Sequence, residues 1–189
     1  MENQDDNYLD SVRKLFRYYK TLGDKAMAQV SDEGFYWRYN DESNSIAVIV
    51  KHIAGNSLSR WTDFLTTDGE KQWRNRDGEF DDFHASREEI LALWNKGWNC
   101  LFNAVDSLSV PDLQKIVYIR NEGHTVVEAI NRQLAHLPYH VGQIVFIARM
   151  LCGTQWVSLS IPKGQSSVYN DEKFQQKKEK KFFTDEENP

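Results

Sequence analysis

Four stretches of the chain repeat apolar residues at intervals of three and four. That spacing keeps side chains on one face of an α-helix. In the first, Leu9, Val12, Phe16, Tyr19, Ala26 and Val30 predict a helix from about Asp6 to Val30, weakened locally by Gly23. In the second, Ile46, Val50, Ile53, Ser57, Trp61 and Leu65 predict a helix that ends near Leu65. Ser43 or Asn44 stands where a side chain can cap its free N–H groups. The third opens on a capping box, Ser86 with Glu89, and continues through Ile90, Trp94, Trp98, Leu101 and Val105 towards Pro111. The fourth opens on Thr125 with Glu128 and runs through Ile130, Leu137, Val141 and Ile144 to Gly153. Pro138 lies inside it and predicts a bend.

Between these stretches the period is lost. Residues 31–42 read as a loop that packs three aromatic rings on the helices. Residues 66–85 form a long irregular connection with Asp-Gly turn signals at 68–69 and 77–78. A connection of that length in a compact domain is often functional, which makes Trp73, Arg74 and Arg76 candidates for ligand contact. Residues 115–120 are a β-branched run that suits one strand of a small hairpin, with a turn at 121–123. After Gly153 a connector leads to a charged end, which could form a short surface helix before a disordered last ten residues. The pattern therefore predicts an all-α four-helix bundle. A long crossover joins its helices two and three, and a small hairpin precedes helix four. The domain would span 1–165, with 166–189 as a charged, partly disordered tail.

The chain has 189 residues, enough for one domain with a substantial core. Six tryptophans make that core, or a pocket in it, aromatic-rich. The net charge of −5 argues against nucleic acid as a partner, and no apolar run is long enough for a membrane span. The acidic start, MENQDDNYLD, does not read as a targeting peptide, so a cytoplasmic location is expected. Cys100 and Cys152 fall within helical stretches and read as buried thiols, with no disulfide framework.

The chemistry is concentrated in histidines. His136 and His140 stand four apart, one turn along the same helical face. His52 on the second helix can supply a third imidazole from across the bundle, a set that suits a divalent metal with an open position. Gln143, Arg132, Gln133 and Ala129 continue the row of His140, which is more polar than the core stripe beside it. No glutamate lies between the two histidines in the way a zinc protease requires. His84 and His124 read as surface or capping residues, and the same plain reading competes for every histidine here. Asn56 and Gln143 could orient a bound nucleophile. Arg74 or Arg76 could hold a ligand carboxylate.

The segments VKHIAGN at 50–56 and NRQLAHLPYHVGQIVFIARML at 131–151 resemble the DinB/YfiT-like superfamily of metal-dependent bundles. The stretch at 62–80 is similar to one bacterial branch whose biochemical role is not established. The resemblance implies an up-down-down-up bundle, frequent homodimers, and a site for zinc, nickel or a similar ion at His52, His136 and His140. The superfamily includes transferases that use low-molecular-weight thiols and a thiol-dependent isomerase. By analogy, the expected function is a metal-dependent enzyme that activates a small thiol or water. The alternatives are a non-catalytic, stress-linked metal-binding bundle or dimeric scaffold, and a bundle without metal.

Overall fold

The computed structural model describes residues 4–81 and 85–185. His84 lies outside them. Most of the chain is helical: α1 (Gln4–Met27), α2 (Asp32–Tyr36), α3 (Ile46–Trp61), α4 (Arg87–Asp106), α5 (Val126–Cys152) and α6 (Ser166–Phe174). An antiparallel pair, β1 (Ile116–Ile119) and β2 (Glu122–Thr125), precedes α5. The four long helices surround one core. α3 packs most extensively on α4 and α1 on α5, while lighter contacts of α3 with α5 and of α1 with α4 close the ring. Phe16, Ile53, Trp94, Trp98, Ile130 and Leu137 are fully buried between them.

Local chemistry sets the helix starts. Both predicted capping boxes form, Ser86 with Glu89 and Thr125 with Glu128, and each satisfies otherwise free N–H groups. The cap of α3 is Ser45, whose Oγ accepts from the Val48 N–H at 3.2 Å, and not Ser43 or Asn44. This helix ends at Trp61 instead of Leu65, because Asp63 turns to a φ of 50°. Phe64 then folds back onto Trp61 with ring centroids 4.4 Å apart, and Leu65 is exposed. Residues 31–42 are not all loop. Ser31 caps the short α2, which carries Phe35 fully into the core. α5 continues through Pro138 without a break.

Two glycines have steric reasons. A Cβ on Gly97 would stand 2.7 Å from the Ala54 Cα, so its absence lets α4 lie directly on α3. A Cβ on Gly23 would stand 2.7 Å from the Trp94 indole. That indole donates to Asp24 Oδ1 at 2.7 Å.

The hairpin turns at Arg120 and Asn121, both with positive φ, one residue earlier than expected. Beyond α6 the chain lies back against α1. Phe183 meets Tyr18 edge to face, and Lys14 pairs with Asp185 at 2.9 Å. Cys100 and Cys152 are free, half-buried thiols, the first near Thr62 and the second donating to the Gln29 carbonyl. Among the described residues, no helix is long and apolar enough to cross a membrane.

Candidate metal centre

α3 and α5 bring three imidazoles together. One ring nitrogen from each of His52, His136 and His140 lies within 4.8 Å of the others. His136 Nε2 stands 3.2 Å from His52 Nε2 and 3.2 Å from His140 Nε2. The edge of a tetrahedron with metal–nitrogen bonds near 2.0–2.1 Å is about 3.3 Å. Two of the three nitrogen–nitrogen spacings thus match the edge of a four-coordinate site, and the third, between His52 and His140, lies within 4.8 Å.

Partners on the far side of the rings fix which nitrogen faces inward. His52 Nδ1 lies 2.9 Å from Glu79 Oε2. Burial pushes the Glu79 carboxyl upward, but hydrogen bonds from His52 and Arg74 outweigh it and hold the group below its ordinary value. An ionised carboxylate only accepts, so His52 Nδ1 carries the hydrogen and a neutral His52 turns a lone pair inward at Nε2. Gln143 Oε1 does the same for His140, accepting from Nδ1 at 2.9 Å. Two lone pairs therefore converge on His136 Nε2, which can offer hydrogen to only one of them. His136 Nδ1 is buried without a partner among the described residues. A cation between the three nitrogens answers all the lone pairs at once, so the donor set fits a divalent metal.

Two of the three imidazoles, His136 and His140, are pushed towards the uncharged form. Burial first, then the neighbouring His140 and His52, push the His136 pKa down to about 3. His140 is lowered by burial and by His52, against the opposing bond to Gln143. Neutral imidazole is the form that binds metal.

Glu79 had no signal in the hydrophobic pattern. It comes from a single 3₁₀ turn, Asp77–Glu79, in the connection between α3 and α4. It is 6% exposed. Arg74 binds it in a fork, Nε to Oε1 at 2.8 Å and Nη2 to Oε2 at 3.0 Å. Gly55, three residues after His52, leaves the room: a Cβ there would collide with the Glu79 carboxylate. A glycine inside a helical pattern is a sign of close approach, and it was the one available hint.

The centre forms part of the wall of a cavity of about 580 Å³, a volume usual for small-molecule sites. Asn56 and Gln133 also line it, paired with each other at 3.2 Å and buried. Asn56 thus faces the cavity and has no hydrogen bond to an imidazole among the described residues. Arg76 stands at the rim over the Phe80 ring, 5.6 Å from its centroid. Arg74 also faces the cavity, but its guanidinium is committed to Glu79. Trp73 is 61% exposed and does not line the cavity. His124 lies in β2, opposite Val117 and apart from the cluster.

Fold and site define a mostly helical protein with a three-histidine centre in the wall of a cavity. A family model described as a protein of unknown function (DUF1572) matches residues 3–165, and the chain belongs to that family. Comparison with curated proteins and with solved structures gives no match.

Proposed function

We propose that the protein is a DinB-like, up-down-down-up bundle that binds a divalent metal, zinc or nickel first, through His52, His136 and His140. The reading supported best is an enzyme acting on a small molecule in the adjoining cavity. One observation carries it: three inward-facing Nε2 atoms stand on the wall of a cavity large enough for a substrate. A bound divalent ion would supply Lewis acidity, favouring the deprotonated form of a small thiol or of water. The chain's own groups do the rest. Glu79 and Gln143 hold two imidazoles in the binding tautomer, Arg74 holds Glu79, and the Asn56–Gln133 pair presents amide groups to the cavity.

A second reading is a metal staple without catalysis. What favours it is that α3 and α5 touch far less than α3 and α4 do, so an ion joining His52 to α5 would tie the weaker pair. Both readings share a first test, elemental analysis of untagged protein. About one zinc or nickel per chain is expected, and none in His136→Ala. Stability then separates them. A fall in Tm for His52→Ala as large as that caused by a chelator marks the staple. Little change in Tm, together with turnover in an assay over several low-molecular-weight thiols, marks the enzyme. As a further part of this proposal, two copies associate in the cytoplasm through the exposed Phe146 and Met150 on α5 and the neighbouring Tyr39. Sedimentation of Phe146→Asp against the parent protein checks this part, with a monomer expected for the variant.

A further inference from the structure

Five arginines line the cavity beside the histidines: Arg60, Arg74, Arg76, Arg120 and Arg132. Among the described residues that line it there is no carboxylate. This holds in a chain whose net charge is −5, so the cavity runs against the charge of the molecule around it.

The nearby acids among the described residues do not answer all five. Glu79 is occupied by Arg74 and His52. Glu70 is shared by three guanidinium groups, Arg60 at 3.0 Å, Arg120 at 3.1 Å and Arg74 at 3.5 Å. Asp68 accepts from the backbone N–H groups of Arg120, Asn121 and Glu70. Asp77 is solvent-exposed and stands 3.8 Å from Arg76. Arg132 has no hydrogen bond or ion pair with any described residue, although it faces the cavity. Burial, together with repulsion from Arg74 and Arg132, pulls Arg60 below its ordinary pKa against the pull of Glu70. An anion in the cavity would relieve that repulsion.

The positions set the ligand's shape. Arg132, His136 and His140 follow one another at intervals of four on α5, so Arg132 stands one helical turn from the metal centre. Arg120 approaches from the hairpin turn on another side, half-exposed. Guanidinium forks match the oxygens of carboxylates and phosphates.

We propose that Arg132 and Arg120 form an anion subsite of this cavity, and that the ligand is a small acid. Its carboxylate or phosphate sits at the two arginines, and its other end reaches the three-histidine centre. The inference deepens the enzyme reading and rests on it for that other end. The anion subsite itself needs no metal. Arg74 and Arg76, the arginines singled out by the sequence, are not its anchors: one is engaged by Glu79 and the other is at the rim.

The test is calorimetric titration of the full chain with inorganic phosphate and, separately, with succinate, in low-salt buffer. Each is run on zinc-loaded and on metal-free protein. At least one anion is expected to bind in both states. Arg132→Gln and Arg120→Gln should each weaken binding about tenfold or more, the usual cost of a lost charge-assisted bond. Zinc content and Tm should stay unchanged. Lys96→Gln, on the exposed face of α4 away from the cavity, should bind as the parent does. The tighter of the two anions names the headgroup, phosphate or carboxylate. The inference is overturned if neither anion binds, or if Arg132→Gln binds as well as the parent protein. Zinc retained without anion binding would sink the subsite and leave the metal reading intact. Anion binding by a chain that takes up no zinc would do the reverse.

Discussion

His136 differs from its two companions in having no partner behind it among the described residues, and this makes it the sensitive point of the centre. Folded His136 resists protonation down to about pH 3, whereas an unfolded imidazole takes its proton near 6.5. Between those values the unfolded chain binds more protons, so acid favours unfolding. Metal-free protein should therefore keep its full stability above about pH 6.5 and lose it progressively as the pH falls towards 3. Urea midpoints measured across that range check this, and a flat profile would contradict it. On the other side of the centre, Glu79→Gln keeps the shape but removes the charge that orients His52. It should cost about 10- to 100-fold in zinc affinity, read by competition with a chelator. Gly55→Ala should produce a similar loss by a different route, because the added methyl displaces the same carboxylate.

At the scale of elements, the three histidines were legible because helical spacing alone puts positions 136 and 140 on one face and leaves 52 to approach from a second helix. The capping boxes at Ser86 and Thr125 were legible for a similar reason: a four-residue pattern with a local physical cause. Glu79 was not, since an acid in an aperiodic connection has no register from which to infer its direction. The short α2 escaped because five residues give too little of a period to see. Arg132 could be placed on the polar row of α5, but that it has no acidic partner among the described residues appears only when α3, the connection and the hairpin are assembled around it. The contact of α3 with α4 carries its own prediction. Gly97→Ala sets a methyl against the Ala54 backbone and should destabilise the fold by about 1–3 kcal/mol. Thermal unfolding of the metal-free protein reads this without interference from the centre.

Across the whole molecule, helices build one side of the cavity and two irregular pieces build the other. Those two pieces are joined to each other. Asp68 accepts from the N–H groups of Arg120 at 2.9 Å and Asn121 at 2.8 Å, and the Gly69 N–H donates to the Tyr118 carbonyl at 2.8 Å. Asp68→Ala should release the hairpin tip, giving faster hydrogen exchange at the amides of residues 120 and 121 while those of α5 keep their protection. The same stitching means that residues 66–81 and 116–125 behave as a single cassette resting on a helical chassis. A graft of either piece from a related chain would arrive with its counterpart missing. Exchanged together, they would carry a new ligand preference onto an unaltered set of histidines.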